Sequence, residues 1–298
     1  MKFRAHDTFF IRKGWLYKGL KNVIDNPSIF TSKEKNPVDI LGIGTNMVKS
    51  LRYWLQATGL TYERISKQTR SKEQVLTEVG EVIYQNDKYF EEIGTICLIH
   101  YLLSTNIKLA PSWYYFFNEF SMTEFSREDF VQGVQNFAII NGENPAKSSL
   151  EDDFNCLISS YVLRRKLNPS RINPESNIEC PLDELGLIEL AQNSKGKERI
   201  FKRAQINISN VSPYILFAMI VDQYEENEIK INELLTAPHS IGRIFNLDIL
   251  SLSKALNLMR NLDLIDVVRT AGLDVIKIKK RQKFSECIED YYISLNGK

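Results

Sequence analysis

The chain has 298 residues, 43% hydrophobic and 25% charged, with 38 Lys+Arg against 37 Asp+Glu. This composition belongs to a folded globular protein and excludes a disordered or collagen-like chain. No apolar run approaches the roughly 20 residues that span a bilayer, and Met1–Lys13 lacks the apolar core of a signal peptide, so a cytoplasmic protein with no membrane partner is expected.

The near-zero net charge hides a segregation. Residues 1–72 hold 14 Lys+Arg against 5 Asp+Glu, residues 73–253 hold 15 against 26, and residues 254–283 hold 8 against 3. Basic surface attracts polyanions whatever the whole-chain balance, so the two ends point to nucleic acid and the acidic middle to partner docking. Cys97, Cys156, Cys180 and Cys287 are scattered with no CxxC pair, which suggests neither a disulfide framework nor a cysteine-rich zinc site.

In chain order, residues 1–72 read as a basic helix-turn-helix-like module. Asp39–Leu41 ends a short apolar element at Gly42-Ile43-Gly44, a turn for which glycine is suited. Thr45 is placed to cap a helix over Asn46–Ala57, closed by Gly59-Leu60. At 100° per residue Met47, Val48, Leu51, Trp54 and Leu55 share one apolar sector, leaving Asn46, Lys49, Arg52, Tyr53 and Gln56 on the other side. A helix anchored on one face and carrying Asn, Lys and Arg on the other suits a DNA groove or its phosphates, and Lys13, Lys18 and Lys21 add to that charge. An ordinary amphipathic helix with a solvated polar face is the alternative.

Residues 73–165 read as an acidic helical bundle, with helices over Glu78–Gln85, Ile93–Leu103, Trp113–Phe120 and Leu150–Arg165 and a loop at Asn141–Pro145. The aromatic run Trp113–Phe117 reads as core rather than a base-stacking platform, and His100 as a satisfied core histidine. Glu91-Glu92 and Glu151-Asp152-Asp153 read as solvated faces or caps. Residues 166–223 read as a connecting segment broken by Pro169, Pro174, Pro181 and Pro213, with a short packed element near Leu185–Ala191 and a buried helix over Tyr214–Gln223. Residues 224–298 read as a second winged-helix-like module. Helices are expected over Ile231–Leu235, Ile241–Phe245 and Leu252–Leu262, then a hairpin over Leu264–Lys279 turning at Thr270-Ala271-Gly272. Lys254, Asn257, Arg260, Asn261, Lys277 and Lys279 would face outwards, and protein contact is the alternative use of this module. The fold class is thus mainly α, a helical bundle with winged-helix-like modules near both ends.

A series of short motifs in order resembles a known family over most of the chain. It runs His6-Asp7-Thr8-Phe9, Arg12-Lys13-Gly14-Trp15-Leu16, Lys18-Gly19-Leu20, Leu41–Val48, Arg52-Tyr53-Trp54, Gly94-Thr95, Leu98–Leu103, Trp113-Tyr114, Phe117-Asn118 and Asp153–Leu157. The series is similar to the bacterial domain-of-unknown-function family numbered four thousand and seven. That resemblance implies a DNA phosphorothioation system, in which sulfur replaces a non-bridging phosphate oxygen. It further implies the DNA-nicking component of the Ssp type, acting with a cysteine desulfurase, an ATPase and a sulfur-transferring pyrophosphatase. Thr45 departs from the lysine the resemblance would place in that turn; Lys49 and Arg52 are placed to compensate.

Nicking requires an activated phosphodiester, a nucleophile and help for the leaving oxygen. No metal-nuclease spacing stands in the sequence, and a divalent metal is a candidate cofactor only. The most suggestive trio is His6 for proton transfer, Asp7 for orienting it or binding metal, and Arg12 for neutralising phosphate. The alternative is that His6 and Asp7 make structural hydrogen bonds. Three functions stay open: a DNA-binding endonuclease, a non-catalytic DNA-binding adaptor for sulfur-transfer enzymes, and a protein-interaction scaffold.

Overall fold

Trp15–Asp25 forms helix α1 because Trp15, Leu16, Gly19, Leu20 and Val23 recur at helical spacing and bury together. Pro37–Leu41 forms the short α2, capped by the Asn36 side chain and ended by Gly42 in the left-handed conformation at φ 60°. Thr45–Ala57 forms α3, and its buried side is the expected Val48, Leu51, Trp54 and Leu55 stripe, with Met47 half-buried. The cap is Gly44, which offers no side-chain acceptor, so Thr45 is the first helical residue rather than the cap. Each of those buried side chains contributes about 1.5–3 kcal/mol relative to exposure.

The computed structural model describes residues 1–32, 36–67, 70–162, 179–192, 199–270 and 273–297. After α3 the chain makes an antiparallel hairpin, β1 (Thr61–Ile65) and β2 (Lys72–Leu76), in which Glu63 faces Gln74. The hairpin lies flush against the start of α4 (Glu78–Asn86): a Cβ on Gly80 would stand 2.1 Å from the Leu60 carbonyl oxygen, so that position accepts only glycine.

The middle is helical, with α5 (Ile93–Ser104), α6 (Pro111–Asn118) and α8 (Lys147–Tyr161) where the spacing predicts them and α7 (Arg127–Ile140) in addition. Helix α7 was not legible in the apolar spacing; a reciprocal Ser126–Asp129 capping box starts it. The expected end of α8 at Arg165 lies outside the described residues. Trp113, Phe116 and Phe117 are buried, as befits core, with Tyr114 and Tyr115 half-buried at its rim.

Residues 166–212 hold more than a connection. Residues 163–178 lie outside the described residues, but beyond them come a 3-10 turn (Pro181–Leu185) and strands β4 (Ile188–Gln192) and β5 (Ile200–Arg203). These strands complete a sheet with β3 (Glu124–Phe125), in the order β3-β5-β4. Helix α9 (Pro213–Gln223) follows. Then come β6 (Glu228–Lys230), α10 (Ile231–Thr236), α11 (Ile241–Ile244), α12 (Ile249–Asn261), β7 (Ile265–Thr270) and β8 (Leu273–Ile278), with sheet order β6-β8-β7. Ala271 and Gly272 of the expected turn lie outside the described residues. A last helix, α13 (Phe284–Asn296), packs on α9 and α4. Among the described residues the fold is mainly α with three small antiparallel sheets, and buried apolar side chains from Ile11 to Tyr292 form one contiguous cluster. No described helix is long and apolar enough to cross a membrane.

His100 fastens three segments at the centre. Its Nε2 lies 3.1 Å from the Ile244 carbonyl, which can only accept, so Nε2 carries the proton. Nδ1 then accepts from the Tyr161 hydroxyl at 2.8 Å. Burial, partly offset by the Ile244 bond, lowers the imidazole from 6.5 to about 4. Because the folded value lies below the unfolded one, the unfolded chain takes up the extra proton first. Stability is intact above pH 6.5 and falls as pH drops towards 4, by roughly 3 kcal/mol in all. Urea unfolding across that window should show this slope, and His100→Gln should flatten it while lowering stability at pH 7.

Candidate nucleic-acid interface and the N-terminal polar cluster

Helix α3 turns Thr45, Asn46 and Lys49 to solvent, with the Lys49 ammonium 3.4 Å from the Asn46 amide oxygen. Arg52 is half-buried and pairs with Glu63 of β1, Nε at 2.7 Å and Nη2 at 2.5 Å from one carboxylate oxygen. Tyr53 does not face outwards. It is 8% exposed, donates its hydroxyl to the Leu109 carbonyl at 2.9 Å and stacks at a tilt on Trp54. The loop before α6 covers that flank of α3, which an isolated amphipathic helix would leave open. Lys21 is exposed, whereas Lys18 donates to the Leu41 carbonyl at 3.0 Å and fastens α1 to α2. Lys13 is exposed close to the Asp183 carboxyl, which burial raises to about 6.

At the other end Lys254, Asn257, Arg260 and Asn261 are exposed on α12, together with Leu250, Leu258 and Leu262. Lys277 pairs with Glu228 across the sheet at 2.6 Å, and Lys279 with Asp263 and Asp266. Arg281 donates to the carbonyls of Val221, Tyr224 and Glu226, which closes the end of α9. Lys277 and Lys279 are therefore neutralised, and Arg281 is structural.

The N-terminal trio is split. His6 is fully buried, stacked on Trp54 and edge-on to Trp113. Its Nδ1 accepts the Thr8 amide at 3.1 Å, so Nε2 carries a proton and donates to Asp153 Oδ1 at 2.8 Å. The aspartate that orients His6 is thus Asp153 of α8, not the neighbouring Asp7. Asp153 is 2% exposed and accepts also from the Arg4 amide at 2.8 Å and the Ser112 hydroxyl at 2.5 Å. The reading of Glu151–Asp153 as a solvated face therefore fails at Asp153, and Asp152 alone takes a surface pairing, with Arg4 at 2.6 Å. Arg4, Asp7 and Thr8 all have positive φ, between 47° and 67°, a strain that the surrounding bonds must hold. Arg12 is half-buried; its guanidinium lies 5.6 Å from the Phe9 ring centre and 5.1 Å from that of Trp15, and its Nε has no protein partner. Among the described residues no group of three or more His, Cys, Asp or Glu side chains is placed to hold a metal ion.

A family model described as a protein of unknown function, DUF4007, matches residues 3–292. The chain belongs to the DUF4007 family. Two crystal structures of SspB, one of them magnesium ion-bound, share its fold at a TM-score of 0.84 and 24% identity. Each comparison covers 100% of this chain and 89% of the SspB chain. No curated protein matches the sequence.

Two variants test these bonds. Asp153→Ala strands three donors, the buried His6 and Ser112 and the part-buried Arg4 amide, and should cost about 3–5 kcal/mol in urea unfolding. Tyr53→Phe should cost about 1–2 kcal/mol in the same assay, since the Leu109 carbonyl loses its donor.

Proposed function

We propose that the chain is a DNA-binding component of a bacterial DNA phosphorothioation system, contacting duplex DNA through its N-terminal module. The observation that carries this reading is the exposed Thr45, Asn46 and Lys49 row on a helix whose opposite face is anchored by Leu51, Trp54 and Leu55. Helices α1 to α3 followed by the β1–β2 hairpin have the element order of a winged helix, with α3 as the recognition helix. From α9 to β8 the order is helix, strand, helices and hairpin, again winged-helix-like, with α12 in the equivalent place. Family membership and the SspB fold support the phosphorothioation setting. There the partners would be the sulfur-transfer and ATPase proteins that the resemblance implies.

Strand nicking, the activity implied by the resemblance, would open the backbone for sulfur incorporation. In this reading His6 is a positioning residue: its imidazole is enclosed and both ring nitrogens are engaged, so it acts through the loop it holds. Arg12 would supply positive charge to a phosphate, with Phe9 and Trp15 holding its guanidinium flat. The burial of His6 gives specific support to a second reading, a DNA-binding adaptor that recruits the enzymes doing the chemistry.

Fluorescence anisotropy with duplex DNA over a salt series tests the binding. Log affinity should fall nearly linearly with log salt, and Lys49→Ala should weaken binding and reduce the slope by about one contact. Absence of binding at low salt would sink the reading. Incubation with supercoiled plasmid, with and without magnesium, then divides endonuclease from adaptor: nicked circles appear for the first only, and Arg12→Ala should reduce them at least about tenfold.

A further inference from the structure

Three donors from two different elements converge on the Glu63 carboxylate. Arg52 of α3 approaches one oxygen with Nε at 2.7 Å and Nη2 at 2.5 Å, and Gln56, one turn further along α3, reaches the same oxygen at 3.3 Å. Lys72 of β2 stands 3.7 Å from the other oxygen. A single carboxylate thus holds a guanidinium, an amide and an ammonium. The cluster is partly open to water, with the Lys72 side chain 65%, the Arg52 side chain 30% and the Glu63 side chain 23% exposed.

The hairpin has a tie to α3 that does not involve Glu63. The Gln74 amide already donates to the Arg52 carbonyl at 3.1 Å and to the Thr61 hydroxyl at 2.7 Å, and Thr77 donates to the Gly59 carbonyl at 2.7 Å. Two cations and an amide grouped about one anionic group form the donor set that recognises a phosphodiester, since guanidinium geometry suits either oxyanion. The cluster also lies on the helix that carries Asn46 and Lys49, at the junction with the hairpin.

We propose that Arg52, Gln56 and Lys72 form a backbone-phosphate subsite in which the Glu63 carboxylate stands in for the phosphate while the protein is free. This rests on the DNA-binding reading above and gives it a second element, the β1–β2 hairpin. On binding, a DNA phosphate takes over the Arg52 and Lys72 donors, and Glu63, on an open strand, rotates towards solvent. Glu63 therefore sets the affinity by competing with every phosphate that approaches, whatever the base sequence.

The test uses the full-length chain and a short fluorescent duplex, read by anisotropy over a salt series. Glu63→Gln keeps the size of the side chain and removes its charge. It should tighten binding by about three- to tenfold and steepen the salt slope by roughly one contact. Arg52→Gln should change affinity far less in the native background than in Glu63→Gln, because Glu63 masks Arg52 in the first case. Glu128→Gln, which removes an equal charge from the Lys147 pair on the bundle, should leave binding unchanged. The inference falls if Glu63→Gln fails to tighten binding, if Glu128→Gln tightens it equally, or if the gain survives Arg52→Gln. A native chain that binds no duplex overturns the DNA-binding reading as well; one that binds while Glu63→Gln changes nothing overturns this subsite alone. Should Glu63→Gln melt below the assay temperature, Glu63→Asp draws the carboxylate back by one methylene and should give a smaller tightening. Its failure to tighten would likewise sink the proposal.

Discussion

One buried carboxylate organises the N-terminal half. Asp153 gathers the Arg4 amide, the His6 imidazole and the Ser112 hydroxyl, and so ties the N-terminal loop, α6 and α8 together. A buried carboxylate is tolerable only with such a complement of donors, and removing it would leave three of them unsatisfied. The bonds also retain three residues in the left-handed region, which would relax if the loop were free. Above the knot, His6 stacks on Trp54, the central side chain of α3, and the Trp54 indole donates to the Phe9 carbonyl at 2.9 Å. The helix proposed to meet DNA is thus held from beneath by the same cluster that fixes the first residues of the chain.

This arrangement explains why residues that look alike in sequence do different work. Lys18, Arg281 and Lys49 are all cations in basic stretches. Lys18 and Arg281 are spent on backbone carbonyls that helix ends leave unpaired, while Lys49 remains available to an outside anion. Charge density marks a region that can attract a polyanion, but only the hydrogen-bond partners say which cations are free to do so.

Helical spacing was a good guide wherever one face is buried and the other wet. It located α3, α4, α5, α9 and α12 to within a few residues, and the aromatic run of α6 as core. It failed where the decisive contact is distant. Tyr53 lies on the polar side of its own helix and is covered by a segment more than fifty positions away. The partner of His6 is Asp153, 147 residues on, although Asp7 stands beside it. In the sheet around Phe125 and Phe201, β4 overlaps the short packed element expected near Leu185–Ala191, whereas β3 is two residues long and β5 only four, too short to announce themselves. The hairpin after α3 falls in a stretch for which the spacing gives no element, and its strands are five residues each. Its cross-strand register brings Glu63 within reach of Arg52, and no local pattern announces that meeting.

Helix α5 is buried on nearly every side, and part of its cover is supplied by the final helix: the Thr95 hydroxyl meets that of Tyr292 at 2.7 Å, across 197 residues of sequence. On a ribosome adding about 5–20 residues per second, roughly ten to forty seconds would separate the emergence of the two. For that interval an apolar helix has no native covering on one flank. Nascent chains of this protein would therefore depend on transient shielding, and release factors arriving early would leave a product whose central helix is sticky rather than one that merely lacks an end.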